Sequence, residues 1–185
     1  MNKIGIVLIM GLCFTSGIIV QDKLVNQTPP QSRDLSTCTK VYFSPKGGCT
    51  EAAVEAITAT SKTILIQAYS FTSDPIAQAL IAANKRGVEI HVILDRSQLI
   101  AKGSVIDSLH TAGIDIRVDE KHQIAHNKVM VLDGARVITG SFNFTRQAEI
   151  SNAENMLVID SLELAGLYTQ HWHEHYDHSI VFSGK

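Results

Sequence analysis

The sequence predicts an α/β fold in which helices cover both faces of one mixed β-sheet, an α-β-α sandwich built as a single domain. From Lys40 onward, short runs of β-branched residues alternate with helical patterns, and such alternation is typical of layered sheets. The length supports one domain, because 185 residues leave no room for two of ordinary size. Apolar residues make up 45% of the chain, enough for a packed interior, so a disordered chain is excluded.

Polar caps and a glycine mark the helix ends in the first half of the domain. Thr50 is predicted to cap an Ala-rich helix that runs to about residue 60. Asp74 is predicted to cap the next helix, since Pro75 follows it at the first helical position, and Gly87 supplies the stop. The strands in this half are predicted at 41–43, 63–69 and 88–95.

The second half is predicted to contain a hairpin and a long final helix. A helix near 103–112 ends at Gly113. Asp133-Gly134 is a hairpin-type turn. Ser161 is predicted to cap the final helix, which carries Leu164, Tyr168 and Trp172 on one face. The strands in this half are predicted at 114–118, 128–133, 135–139 and 155–160.

The N-terminus has the layout of a secretory signal peptide. An uncharged apolar segment at 4–20 follows Lys3 and precedes a polar tract. As a helix it would reach only about 26 Å of a ~30 Å hydrocarbon layer. Cleavage, best placed before Ile18, is therefore preferred to an uncleaved anchor. We divide the chain into a signal peptide or anchor at 1–20, a polar linker at 21–39 and a domain at 40–185, and expect export to the periplasm or the medium.

Export would also account for the three cysteines. Cleavage after Cys13 leaves Cys38 and Cys49, which an oxidising compartment would allow to form a disulfide. A lipid-modified Cys13 is a weaker alternative, because bulky Leu12 stands where such sites have a small residue. The net charge of −2 excludes a globally basic nucleic-acid coat and a polybasic membrane binder. Any binding to a polyanion must therefore be local.

One stretch, HNKVMVLDGARVITGSFNFT at 126–145, concentrates the polar residues that could carry chemistry. A His-x-Lys pair alone is expected about 0.4 times by chance in a chain of this composition, whereas the complete pattern is expected about five times in a million. The pattern is therefore a strong signal. Its positions are His126, Lys128, Asp133, Gly140, Ser141 and Asn143.

These residue types indicate phosphoryl chemistry. Side chains alternate along a strand, so His126 and Lys128 share a face and Asp133 points to the other, where a structural role is expected. A neutral imidazole is a competent nucleophile toward phosphorus near physiological pH. The Lys128 ammonium, the Ser141 hydroxyl and the Asn143 amide suit the non-bridging phosphate oxygens, and the adjacent glycine allows close backbone approach. No metal is required, because lysines neutralise the charge.

The pattern resembles the signature of the phospholipase D superfamily, His-x-Lys-x4-Asp-x6-Gly-Ser with a following Asn, and most resembles its small exported nucleases with one motif copy. AYSFT at 68–72, KRGVEIHVILD at 85–95 and EN at 154–155 extend the resemblance over most of the domain. The resemblance implies a phospholipase D-like fold, a phosphohistidine on His126 and no cofactor. It also implies that Glu154 holds the second imidazole nitrogen.

A single motif copy predicts a homodimer. A histidine intermediate needs a second group to protonate the leaving oxygen, and the two-motif enzymes of the superfamily supply it with a second His-x-Lys. Here His91, His110 and His122 are not followed by lysine two positions on. Two chains are therefore expected to share one site, each giving His126, Lys128 and Asn143.

The leading hypothesis is a metal-independent phosphodiesterase that acts as a nuclease on DNA without sequence preference, with RNA as a further candidate. The alternative is a phospholipase D-type hydrolase of phospholipid or cardiolipin, whose membrane contact is transient or made through an uncleaved N-terminus. A catalytically idle polyanion-binding dimer is disfavoured by the intact motif. Some of five basic residues are expected on the rim of the site: Lys40, Lys46, Lys121, Arg136 and Arg146.

The histidines near the C-terminus raise the question of a metal site. His171, His175 and His178 would lie on one face of the final helix. No Cys or acidic pattern in the sequence completes a site around them. A solvated helix face and no metal are therefore predicted, and His122 is expected on the rim of the phosphate site.

Overall fold

The computed structural model describes residues 39–184, which form eight strands and five α-helices. The 3₁₀ turn at Arg96–Leu99 precedes α3. The elements in chain order are β1 Thr39–Ser44, α1 Cys49–Ala59, β2 Thr63–Ala68, α2 Asp74–Lys85, β3 Glu89–Asp95, α3 Ile106–Thr111, β4 Asp115–Asp119, β5 Lys128–Leu132, β6 Arg136–Gly140, α4 Arg146–Ile150, β7 Glu154–Asp160, α5 Leu162–His178 and β8 Ile180–Val181.

All eight strands belong to one sheet, in the order β1-β7-β6-β5-β2-β3-β4-β8. The central strands β2, β3 and β4 are parallel to one another. Every other pairing is antiparallel, so the sheet is mixed. Parallel neighbours need crossover helices, and here α2 and α3 provide them. The predicted α/β fold is confirmed.

The apolar core has two parts, one on each face of the sheet. Strand β5 lies between them and is buried on both of its faces. On one face, Met130 joins the main apolar cluster beneath α1, α2 and α3. On the other, Val129 and Val131 pack against Ala165 of α5. Trp172 of α5 is also buried, and its indole N–H donates to the backbone oxygen of Ile66 at 2.8 Å. The predicted apolar face of α5 therefore packs on the sheet.

Two helix starts differ from the sequence prediction. Thr50 is not the cap of α1 but lies within its first turn, after Gly48 in the left-handed region at φ 81°. The Glu149 carboxylate of α4 accepts hydrogen bonds from the backbone amides of Gly48 and Thr50 at 3.2 and 2.8 Å. Likewise Asp74 is the first residue of α2, and Ser73 precedes it as the cap. The short α4 and β8 were not predicted, because neither is long enough to show a period.

Several expectations concern residues outside the described part of the chain. The predicted signal peptide and Cys38, one half of the predicted disulfide, lie there. The other half, Cys49, is buried at the start of α1, and this burial raises the pKa of its thiol to about 11. Within residues 39–184, no helix combines the length and the apolar character that crossing a bilayer requires.

The predicted hairpin between β5 and β6 turns at Asp133, with φ 51°, and Gly134, with φ 62°, as two-residue hairpin turns require. The Asp133 carboxylate accepts hydrogen bonds from the backbone amides of Ser61, Lys62 and Thr63 at 3.0, 2.7 and 3.0 Å. It thereby fastens the hairpin to the start of β2. Asp133 thus stands at the opposite end of β5 from Lys128.

Replacing Asp133 with alanine should lower the free energy of unfolding by about 2–4 kcal/mol, because three backbone amides lose a charged acceptor and alanine disfavours a positive φ. Asp133→Asn should lower the free energy of unfolding by less, since asparagine tolerates a positive φ and its side chain keeps one acceptor oxygen. Urea unfolding at pH 7 measures both variants. Asp177→Asn, at an exposed position of α5, is the control and should change little.

The same comparison should depend on pH. Partial burial disfavours the charged form of Asp133, but hydrogen bonds from Ser61, Thr63 and Lys62 outweigh it and hold its pKa below the ordinary value. Its stabilisation is therefore complete above the unfolded-state pKa of about 4 and is lost as pH falls through the lower folded-state pKa. The difference in the free energy of unfolding between wild type and Asp133→Asn should become smaller toward pH 2. A difference that does not change with pH would contradict this prediction.

Candidate active site

Strand pairing brings the polar residues of the motif to one edge of the sheet, here called the motif edge. Ala68, the last residue of β2, pairs with Lys128, the first of β5. Ser44, the last of β1, pairs with Glu154, the first of β7. The residues at this edge are Lys128 at the start of β5, Gly140 at the end of β6, Glu154 at the start of β7, His126 just before β5, and Ser141 and Asn143 just after β6.

His126 and Lys128 share one aromatic neighbour. His126 is exposed, and its ring centroid lies 4.6 Å from that of Tyr69. Lys128 is buried; its Nζ donates to the backbone oxygen of His126 at 2.8 Å and lies 5.1 Å from the Tyr69 centroid. Burial lowers the pKa of Lys128, and the charge of Glu154 opposes that shift. Tyr69 was not predicted as a site residue, although it lies in the AYSFT segment.

The segment after β2 holds the two halves of the motif together. The backbone amide of Tyr69 donates to the oxygen of Asn127 at 2.8 Å, next to His126. The amide of Thr72 donates to the oxygen of Phe144 at 3.0 Å, next to Asn143. The ring of Phe71 packs edge-on against that of Phe144 with centroids 5.7 Å apart. One rigid segment therefore fixes both the start of β5 and the end of β6.

The loop that carries His126 is anchored by Asp95, the last residue of β3. Its buried carboxylate accepts hydrogen bonds from the backbone amides of Ala125 at 2.8 Å and Ser97 at 2.9 Å. The guanidinium of Arg96 donates to the oxygen of Gln123 at 3.2 Å. Both contacts hold the loop before β5 against the end of β3, so His126 is presented from a supported backbone.

Gly140 is required by the neighbouring strand. A Cβ on Gly140, which has φ 147°, would lie 2.3 Å from the backbone oxygen of Asn155. The absence of a side chain at Gly140 therefore allows the backbone of β7 to approach it closely. Ser141 Oγ accepts hydrogen bonds from the backbone and side-chain nitrogens of Asn155 at 3.1 and 3.3 Å, which leaves the hydroxyl proton for another acceptor.

The amide of Asn143 has unused bonding capacity. Its Oδ1 is buried and has no hydrogen-bond partner within the described residues. Most buried polar atoms are paired, and an amide oxygen can only accept, so this atom is open to a further hydrogen-bond donor. Glu154 accepts a hydrogen bond from Asn152 Nδ2 at 3.1 Å. Within residues 39–184 it makes no hydrogen bond to His126, so its expected role on the imidazole stays a prediction.

The basic residues expected around the site divide between the two ends of the strands. Lys46 and Lys121 are exposed in loops of the motif edge, and Arg146 is exposed at the first position of α4. Lys40 and Arg136 lie at the other end, where Arg136 forms an ion pair with Asp160 at 2.5 Å, so these two of the five candidates are not on the rim. Two exposed basic residues that follow β3, Arg96 and Lys102, were not among the candidates.

The expectation that no carboxylate completes the histidine face of α5 is also wrong. Asp119 Oδ2 lies 3.0 Å from His175 Nδ1 and 3.3 Å from His178 Nε2. His122, expected on the rim of the phosphate site, also lies against Asp119, at 2.9 Å. No sequence pattern indicated this cluster, because Asp119 and His122 are more than 50 residues from His175 and His178.

The geometry agrees with comparisons with known proteins. A family model described as cardiolipin synthase, PLD-like domain, matches residues 53–176. The chain belongs to the phospholipase D superfamily. It is therefore a hydrolase of the phospholipase D type, a phosphodiesterase.

Named relatives and a solved structure extend this match. The superfamily member is 42% identical to a phospholipase D of Rickettsia conorii over 83% of this chain and 74% of the relative. It is 33% identical to the mitochondrial cardiolipin hydrolase of Xenopus laevis over 76% of this chain and 73% of the relative. The crystal structure of the phospholipase D family member Nuc from Salmonella typhimurium aligns with a TM-score of 0.76 at 34% identity, covering 79% of this chain and 98% of that one.

Removing the ring of Tyr69 should impair catalysis, because it supports both His126 and Lys128. Tyr69→Ala should lower kcat for a chromogenic aryl phosphodiester by about tenfold or more, which corresponds to about 1.4 kcal/mol of lost transition-state stabilisation. Tyr69→Phe keeps the ring and should stay within about threefold of wild type. Equal losses in both variants would assign the effect to the hydroxyl and contradict the prediction.

Proposed function

We propose that this phosphodiesterase is a metal-independent nuclease that cleaves DNA without sequence preference. The observation that carries the proposal is the charge of the motif edge. The chain has a net charge of −2, yet the exposed charges in the loops of this edge are mainly positive. In the loops and the 3₁₀ turn of this edge, the exposed basic residues are Lys46, Arg96, Lys102 and Lys121, and the exposed acidic residue is Glu120. The first turns of the adjoining helices add the exposed side chains of Arg146, Glu51, Asp74 and Asp107. A phosphate backbone would be drawn to this edge.

The proposed reaction has two steps at His126, whose exposure lets a polymer backbone reach the imidazole. A ring nitrogen attacks phosphorus, so a P–N bond forms as the P–O bond to the leaving oxygen breaks. A second imidazole gives that oxygen its proton. The same group then takes a proton from water, which attacks the phosphohistidine and releases the phosphomonoester. Lys128 and Asn143 would hold the non-bridging oxygens throughout.

The second imidazole is proposed to come from a second copy of the chain. Within the described part of the chain, the other histidine in the loop before β5 is His122, and Asp119 holds it. A two-fold axis through the motif edge would bring two copies of His126 to one phosphate. Export to the periplasm or the medium, inferred from the N-terminal segment, remains part of this proposal.

A second candidate is hydrolysis of phospholipid or cardiolipin, which the same chemistry would serve. Relatives named phospholipase D and cardiolipin hydrolase favour it. So do two exposed apolar side chains near the motif edge, Ile100 at 90% and Ile124 at 54% exposure. These could enter a bilayer surface, with the membrane contact transient or strengthened by an uncleaved N-terminus.

Parallel assays on plasmid DNA and on vesicles of phosphatidylcholine and cardiolipin distinguish the two candidates. In excess EDTA, with folding verified by circular dichroism, the protein should nick plasmid, and His126→Ala should lower the rate at least about 10³-fold. His173→Ala, at an exposed position of α5, is the matched control and should retain activity. Cleavage of lipid alone would overturn the nuclease. Loss of nicking in EDTA-treated protein that is folded and keeps the Tm of the untreated protein would overturn the metal-free mechanism.

Subunit mixing tests the shared site. Suppose that each site needs two copies of His126 and that wild type pairs at random with an equal amount of His126→Ala. The mixture should then have about one quarter of the activity of the same total amount of protein that is all wild type. If each chain acts alone, about one half remains. Activity in co-refolded mixtures should therefore follow the square of the wild-type fraction, and sedimentation should give twice the chain mass. A linear dependence would contradict the dimeric site.

A further inference from the structure

Four potential metal ligands converge at the end of β4, apart from the catalytic motif. The Asp119 side chain is fully buried, and its Oδ2 faces His122 Nδ1, His175 Nδ1 and His178 Nε2 at 2.9, 3.0 and 3.3 Å. One ligand atom from each of the four residues lies within 4.8 Å of all the others. The rings of His122 and His175 are stacked with centroids 4.8 Å apart.

The fold explains why these side chains meet. Alternation along β4 turns Asp119 toward the face that α5 covers, and His122 follows in the next turn of the chain. His175 and His178 are three residues apart in the last turns of α5, so they share one helix face. The backbone amides of Lys121 and His122 donate to Asp119 Oδ1 at 3.0 and 3.2 Å. The second carboxylate oxygen is thereby left to the three imidazoles.

We propose that Asp119, His122, His175 and His178 form a structural zinc site. Three imidazole nitrogens and one carboxylate oxygen are ligands that Zn²⁺ prefers in tetrahedral sites. With zinc-to-ligand bonds of about 2.0–2.1 Å, tetrahedral ligand atoms stand roughly 3.3 Å apart, and the Asp119–imidazole distances are already close to that value. Four protein ligands leave no open position, which is typical of a structural site and not of a catalytic one.

The backbone around Asp119 meets a further need of a metal site. The backbone amides on Oδ1 fix the orientation of that carboxylate, the task of outer-shell partners in metal sites.

The proposed zinc would join the loop before β5 to the end of α5. In the sheet order, β4 stands three strands from β5, or roughly 14 Å at about 4.8 Å per strand. The ion would therefore not touch a phosphate held at Lys128. Its contribution is to stability, since it ties the loop that carries His126 to the helix that covers one face of the sheet.

Zinc binding can be measured on the untagged protein after EDTA treatment and dialysis. Calorimetric titration with zinc chloride should give one Zn²⁺ per chain with a Kd below about 1 µM. Zinc at 100 times the Kd should raise the Tm by about 5 °C or more. Co²⁺ should give the visible absorption of a tetrahedral site, a readout that does not depend on activity.

Variants locate the site. His122→Ala should weaken zinc binding at least tenfold. The double variant His122→Ala/His178→Ala should abolish it. Circular dichroism verifies that both variants are folded. The Co²⁺ absorption should disappear with the double variant. His173→Ala and His126→Ala should bind one Zn²⁺ as wild type does. Absence of binding by wild type, or undiminished binding by the double variant, would overturn the proposal and leave the proposed nuclease unaffected.

Discussion

The antiparallel pairing of β2 with β5 is the constraint on which the site depends. Because β2, β3 and β4 are parallel, their carboxyl ends lie at one edge of the sheet. Since β5 runs back along β2, it begins at that same edge, with Lys128 opposite Ala68. A slip of one residue in this register would turn Lys128 toward the α5 face and bring an apolar neighbour into its place. The hydrogen bonds from the backbone amides of Ser61, Lys62 and Thr63 to the Asp133 carboxylate oppose such a slip, because they fix the other end of β5 to the start of β2.

The motif serves two purposes at the two ends of a five-residue strand. Lys128 stands where phosphate chemistry is expected, and Asp133 fastens the hairpin that follows to the start of β2. This hairpin sets how β6 pairs with β5, and therefore where Ser141 and Asn143 emerge relative to His126. The aspartate thus affects the catalytic geometry through the backbone, without contact with the reacting groups.

Local patterns predicted what local interactions determine. The strands, the Asp133-Gly134 turn and the Ser161 cap of α5 depend on residues close in sequence, and all were found. The cap of α1 was missed because Glu149 supplies it from about a hundred residues away. Lys40 and Arg136 could not be separated from the rim candidates Lys46, Lys121 and Arg146, because composition does not reveal at which end of a strand a side chain emerges. The cluster around Asp119 needed the approach of α5 to β4, which no spacing in the sequence encodes.

The burial of Trp172 gives the molecule an internal optical reporter. It is the single tryptophan of the chain, and its indole is bonded to the backbone of central strand β2 beneath α5. Its fluorescence therefore reports one event, the docking of α5 on the sheet, separately from the packing of α1 and α2 on the other face. The emission of the unmodified protein can thus follow how firmly this helix is seated as solvent, temperature or bound ions change.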